Sequence, residues 1–314
     1  MDIRTMPVKR QTNILEMKCM YSFTSRVRFS ETDETGHLSL TGLINYLQDC
    51  CLFQSEALGV GPDYLKEHHR LWLLSGWQIV IDRYPKMFEE ITVGTIPYAF
   101  SGCLGWRNVM ILDKEGSYMV RANCPWVYLN TDTGRPERPD AKEVAAYIME
   151  TLSAPLRSAL NDRPLDDQRP SQSSADIPPE GRRCHPARAG RAGQSENAAR
   201  WSGSEERIPM EYASRKIKMP DNLQKGNPIP VVQELIDSNH HVNNARYVEI
   251  AVDIIQEQLK QERGLVVKEI RVEYKNQARL GDILYPKTGQ KDGWYYVSLE
   301  DSAGLGYASV ALRL

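Results

Sequence analysis

No run of apolar residues in this 314-residue chain approaches the roughly 18 that a membrane-crossing helix requires. Residues 1–20, "MDIRTMPVKRQTNILEMKCM", lack an apolar core of signal-peptide length. They also lack the Ser/Arg-rich, acid-poor character of a transit peptide. The expected location is cytoplasmic, with no membrane partner. A surplus of one charge is missing too. The formal net charge is -2, which argues against a broad nucleic-acid-binding surface but not against a local basic patch. Cysteine is scarce and badly placed for pairing. The six thiols stand at 19, 50, 51, 103, 124 and 184, with no C-x-x-C pair, so neither a disulfide framework nor a zinc site is expected. They read as free thiols, mostly small core residues. No Gly-rich phosphate loop and no metal-ligand spacing occurs, so no cofactor and no metal is expected.

What is present falls into two similar halves. Residues 157–207, rich in Pro, Ser, Gly, Ala, Arg and Asp, cannot bury enough apolar area to offset their ordering entropy. They read as a disordered linker or insertion. The expected division is an extension at 1–19, a first domain at 20–150, the linker at 151–207 and a second domain at 208–314. In the first half a strand, "SFTSRVRFS", enters the polar loop "ETDETGH" and a helix, "LTGLINYLQDCCLFQSEAL", which Gly59 stops. Strand-like runs follow, among them "LWLLSGWQIVI" and "EITVGTIPYAF". In the second half a strand, "PIPVVQELI", enters "DSNHH" and a helix, "NARYVEIAVDIIQEQLKQE", ended by Gly264 and followed by more strands. The loops align: Asp33 and His37 are spaced as Asp237 and His241 are, with an apolar residue after each His. This is an internal repeat of a whole domain. Helices apolar on more than one face, each followed by antiparallel strands, predict an α+β fold in which a curled sheet wraps a helix.

The stretch "DSNHHVNN", residues 237–244, followed by "ARYVE", is similar to the Asp-x-Asn-x-His-Val-Asn-Asn motif of the acyl-acyl carrier protein thioesterases. "RVRFSETDETGHLSLTGLINYLQD" and "IVIDRYPKMFEEITVGT" resemble that family's first repeat. The likeness covers residues 20–150 and 208–314. It implies two tandem hotdog domains and hydrolysis of the thioester joining a fatty acyl chain to acyl carrier protein. It also implies a reaction centre in the second repeat, while the first helps to house the chain. A monomer with an internal pseudo-dimer, or a homodimer of it, is expected. An acyl-coenzyme A thioesterase and a non-enzymatic acyl-binding protein on the same fold are the competing readings.

The residues suit that chemistry. Thioester hydrolysis needs a placed water, a base for its proton and donors for the oxyanion. His241 is the natural base. Asn239 offers an amide to orient water or the carbonyl, and Asp237 can steady an Asn amide or a cationic His. If the segment is extended, Asp237, Asn239 and His241 share one side. Val242, Asn243 and Asn244 open the helix, where free N–H groups would face the oxyanion. Asn243 and Asn244 are also ordinary helix-starting residues. One departure stands out: where the family motif often carries Glu, this chain has Gln277 in "VEYKNQARLGD". Gln cannot ionise, so it can orient water but not deprotonate it. The first loop has Thr35 in place of the Asn and reads as non-catalytic. His68, His69 and the aromatics Trp72, Trp77, Trp106 and Trp126 read as loop and core residues. Arg215, Lys216, Lys218, Lys275 and Arg279 are candidates for meeting an acidic carrier.

Overall fold

The computed structural model describes residues 20–151, 207–261 and 264–314. The extension at 1–19 lies outside them, as does nearly all of the predicted linker, with Cys19, Cys184 and His185.

Each half turns its sequence pattern into one long helix and a set of antiparallel strands. The first half holds β1 (Tyr21–Arg26), α1 (Leu40–Ala57), α2 (Pro62–Glu67), β2 (Arg70–Leu74) and β3 (Gly76–Ile81). It continues with β4 (Glu90–Ser101), β5 (Leu104–Leu112), β6 (Tyr118–Asn130), β7 (Arg135–Pro136) and α3 (Ala141–Thr151). The second half holds β8 (Gln224–Lys225), β9 (Ile229–Pro230), α4 (Asn244–Leu259), β10 (Glu269–Tyr274), β11 (Ile283–Lys291), β12 (Trp294–Glu300) and β13 (Gly306–Arg313). Ser39 caps α1 by accepting the Gly42 N–H at 3.1 Å, and Gly59, at φ +70, ends it in the left-handed conformation that glycine adopts freely.

Three local expectations are corrected. "LWLLSGWQIVI" is two strands, broken at Ser75, whose N–H and hydroxyl both turn to the Pro125 carbonyl. "PIPVVQELI" is barely a strand: only Ile229–Pro230 pair, because prolines cannot donate to a ladder, and Gln233–Leu235 wind into a 3-10 turn. Helix α4 stops at Leu259 with Lys260 left-handed, short of Gly264. Helix α3 had no counterpart in the sequence reading.

The described strands form one 13-stranded sheet: ten run in the order β1-β4-β5-β6-β3-β10-β13-β12-β11-β8, while β2 and β7 pair with β6 and β9 pairs with β11. The two repeats are therefore sewn together where β3 pairs with β10, with Ile79 opposite Ile270 and Trp77 opposite Val272. Ile79 and Ile270 are fully buried, and each such side chain contributes about 1.5–3 kcal/mol by leaving water. Both helices pack on one side of this sheet and share a single hydrophobic core, including Leu43, Leu47 and Cys50 from α1 and Val248, Ala251 and Ile255 from α4. Residues on the opposite face of the strands meet the segment 207–217. Tyr212 donates to Asn108 at 2.8 Å, and the Gln78 amide links the Glu211 carbonyl and the Ala213 N–H, each at 2.8 Å.

A Cβ added at Gly76 would run into the Val272 carbonyl oxygen at the seam. Gly76→Ala is expected to destabilise the protein by about 1–3 kcal/mol, read from the urea unfolding midpoint. An unmoved midpoint would mean that the seam yields more easily than its close backbone approach implies.

Candidate active site

The loop that carries the motif is held by its own backbone. The Asp237 N–H donates to the His241 carbonyl at 2.9 Å, and the His240 N–H to the Asp237 carbonyl at 3.0 Å. The Asp237 carboxylate accepts the Asn239 N–H at 2.8 Å. The chain turns through His240, which sits at φ +62. Asn239 and His241 therefore take their places by a tight turn. The extended, alternating segment foreseen from the sequence is not formed, since the Asp237 carboxylate and the Asp237–His241 pairing close the loop on itself.

The helix N-terminus also differs from expectation. The Val242 N–H donates to the Ala278 carbonyl and the Asn243 N–H to the Leu235 carbonyl, both at 2.9 Å. These two amides are spent on holding the loop to its neighbours, so neither is a free oxyanion donor. Asn243 is the cap, accepting the Ala245 N–H at 2.9 Å. Asn244 is the first residue of α4, and its N–H is outside the hydrogen bonds of the described residues. Its side chain reaches across to the first repeat and donates to Gln48 on α1 at 3.0 Å, while its carbonyl accepts the Tyr274 hydroxyl at 2.9 Å.

His241 is half-buried, and its Nδ1 is buried without a hydrogen-bond partner among the described residues. Burial, then the positive charge of Arg279, pushes its pKa below the ordinary 6.5, against an opposing pull from Asp237. The neutral imidazole, the state a general base requires, is thereby favoured. Arg279 was foreseen only as a carrier-facing charge; its nearness to His241 comes from the turn after β10, which periodicity does not reveal. Gln277 lies in that turn, solvent-exposed, one residue before Ala278. Ala278 binds the motif through its carbonyl and also donates its N–H to Tyr247 at 3.0 Å. The backbone thus brings Gln277 beside the motif, with its side chain turned to solvent.

The first repeat supplies an internal control. Asp33 N–H donates to the His37 carbonyl at 2.8 Å, Leu38 N–H to the Pro85 carbonyl at 2.8 Å and Ser39 N–H to the Glu31 carbonyl at 2.8 Å. These bonds match those of Asp237, Val242 and Asn243 one for one. Gly36, at φ +76, matches His240. The frames coincide, but the side chains do not. His37 Nδ1 is tied to the Thr35 hydroxyl at 2.9 Å, and that hydroxyl also donates to Asp33 at 2.7 Å. In the second loop the imidazole nitrogen is left unengaged.

Asn239 has a second distinction. It lines a cavity of about 430 Å³ whose other walls, among the described residues, all come from the first repeat. Leu52 of α1, Leu65 of α2, Trp72, Phe100 and Trp126 give it a largely apolar interior. Trp72 and Trp126, expected as plain core, thus serve as cavity wall. Inside it, Arg107 donates to the Cys51 carbonyl at 3.0 Å. Burial pushes the pKa of the neighbouring Cys51 thiol up, and the charge of Arg107 opposes that rise.

Two helices side by side in one wrapped sheet, with a polar loop of one repeat opening on a cavity of the other, define a tandem hotdog protein. Comparison with known proteins makes the assignment specific. Residues 18–147 match the acyl-ACP thioesterase N-terminal domain, and residues 220–307 match the acyl-ACP thioesterase C-terminal domain. The chain belongs to the acyl-ACP thioesterase family. It is 27% identical over 131 residues to a chloroplastic palmitoyl-acyl carrier protein thioesterase of Gossypium hirsutum, a match covering 39% of this chain and 31% of that protein. The chain thus spans about three tenths of the length of the curated relatives it matches. Its fold is similar to that of an acyl-ACP thioesterase from Bacteroides thetaiotaomicron, with a TM-score of 0.64, 18% identity, and coverage of 94% of this chain and 97% of the other. It is also similar to a 12:0-ACP thioesterase from Umbellularia californica, with a TM-score of 0.61, 16% identity, and coverage of 94% and 96%. No described helix is long and apolar enough to cross a membrane.

A depressed histidine pKa means that the unfolded chain takes up the proton first. The stability that neutral His241 contributes is present above pH 6.5 and declines as pH falls below it. NMR titration of the ring is expected to give a midpoint below 6.5. Arg279→Ala should raise that midpoint and Asp237→Asn should lower it. Shifts of the opposite sign would refute the assigned electrostatics.

Proposed function

We propose that the protein hydrolyses the thioester of a fatty acyl chain carried on acyl carrier protein, releasing the free acid and ending chain elongation. The observation that carries this reading is the contrast between two loops on one backbone frame. Only in the second does the His Nδ1 lack a hydrogen-bond partner among the described residues, and only there does an Asn line a largely apolar cavity.

In this mechanism the acyl chain lies in the first-repeat cavity, with its carbonyl at Asn239. The Asn239 amide donates to the carbonyl oxygen or holds the attacking water. His241 takes a proton from water as the oxygen bonds to the carbonyl carbon. Asp237, close enough to favour the cation, steadies the imidazolium. The Asn244 N–H, with the positive end of α4 behind it, faces the oxyanion. Collapse of the tetrahedral adduct breaks the C–S bond, and the departing thiolate takes the proton from His241. The products are a carboxylic acid and the carrier thiol, so atoms and charge balance. Gln277 acts at most by orienting water. Arg279 and Lys275, exposed after β10, suit the approach of an acidic carrier, and a cytoplasmic setting fits this role.

The test is turnover of acyl thioesters of both acyl carrier protein and coenzyme A, over a range of chain lengths. The carrier-protein thioesters are expected to be preferred; a clear preference for coenzyme A would reassign the substrate. His241→Ala should lower kcat/KM by roughly 10²–10⁴-fold, and Asn239→Ala by on the order of 10²-fold. Gln277→Glu should retain activity. Full activity in His241→Ala would overturn the mechanism.

A further inference from the structure

An alkyl chain needs only apolar walls, yet the cavity contains a buried cation. Arg107, on β5, is 7% exposed and lines the cavity. Its guanidinium carbon lies 5.2 Å from the centre of the Tyr147 ring, and Nη1 donates to the Cys51 carbonyl at 3.0 Å. Among the described residues no carboxylate forms an ion pair with it. The nearby buried acid of α3, Glu143, is engaged with Asp140, accepting its N–H at 3.3 Å. Asp63 and Lys66, also on the cavity wall, are exposed. Arg70 is paired with Glu137.

A guanidinium carries five N–H donors in a rigid fork. The Cys51 carbonyl and thiol occupy two directions at most. A plain hydrocarbon filling the cavity would remove water from the rest and return no acceptor, which is unfavourable for a buried charge. Nor does the contact with Cys51 require a charge: a neutral donor would tie α1 to β5 equally well.

We propose that Arg107 makes this cavity a binding site for acyl chains bearing an oxygen substituent, a hydroxyl, carbonyl or carboxylate along the chain, in preference to unsubstituted chains. The inference rests on the reading of the cavity as the acyl site and refines it by naming the acyl class. Arg107 is here a specificity-determining residue, at a position of the chain distinct from the thioester handled by Asn239 and His241.

The experiment uses the full chain and methyl-ester probes, all uncharged except the one with a terminal carboxylate. Methyl esters of equal length, unsubstituted or carrying a 3-hydroxyl, a mid-chain hydroxyl, a terminal hydroxyl or a terminal carboxylate, are titrated against the fluorescence of the cavity tryptophans. At least one substituted ester is expected to bind on the order of 10- to 100-fold tighter than the unsubstituted one, as a hydrogen bond to a charged group allows. Arg107→Met should abolish that ratio while keeping or improving binding of the unsubstituted ester. A purely structural Arg107 would weaken all esters together and leave the ratio unchanged. Equal binding of all esters by the wild-type protein overturns the proposal, and this arm stands even if Arg107→Met fails to fold. Pantetheine thioesters of the same chains are then assayed for hydrolysis. Selective binding without hydrolysis of any thioester would sink the thioesterase reading and spare the subsite. Hydrolysis without selectivity would do the reverse.

Discussion

The backbone pairing of β3 with β10 is the constraint on which the rest depends. Neither repeat encloses its helix on its own, since α1 and α4 are both apolar on more than one side. Joining the two sheets edge to edge removes two exposed strand edges and sets the helices against each other. That contact in turn fixes the start of α4 beside the middle of α1, where Asn244 meets Gln48. The loop of the second repeat then has only one place to go, the rim of the first repeat's cavity. Position at the site is thus inherited from sheet geometry, with little left to local loop preference.

The loop itself separates frame from chemistry. Its hydrogen bonds recur almost unchanged in a repeat with a different side-chain set, so the frame demands only an Asp, a left-handed turn residue and a cap. Asp237 illustrates the division. Its carboxylate accepts the Asn239 N–H as Asp33 accepts that of Thr35, so part of its role is architectural. His240 accepts a left-handed conformation that Gly36 adopts freely, at a cost of about 1–2 kcal/mol. In exchange it contributes a second imidazole beside His241, whose charged form would further disfavour protonation of its neighbour.

Much of this was legible in the sequence because it follows from short-range periodicity. The repeat and both long helices announce themselves through spacing, whereas Asp237, Asn239 and His241 stand out by their resemblance to a family motif. The misreadings have specific physical origins. Val242 and Asn243 looked like free donors because a helix N-terminus leaves amides unpaired; their acceptors, Ala278 and Leu235, are tertiary. The extended reading of 237–241 failed because an Asp side chain can close a turn on its own backbone. Gln277 falls in the turn beyond β10, which ends at Tyr274, and the residue beside His241 that matters electrically is Arg279. Arg107 was invisible as well. It sits in an alternating strand, "LGWRNVMIL", where a charged residue ordinarily points to solvent, and only the inward pleat of β5 shows otherwise.

The correspondence between the two loops has a further meaning. When two identical subunits build a shared site, any change in one appears in both, and the assembly keeps two equivalent centres. Here the partners are consecutive stretches of a single polypeptide, so their sequences are free to part. One loop has become a pure brace, its imidazole leashed by a hydroxyl. The other keeps an unengaged imidazole and faces a chamber that its sibling built. In the proposed reading, one chain therefore carries a single asymmetric centre, in which enclosure and reactivity can be tuned by separate mutations.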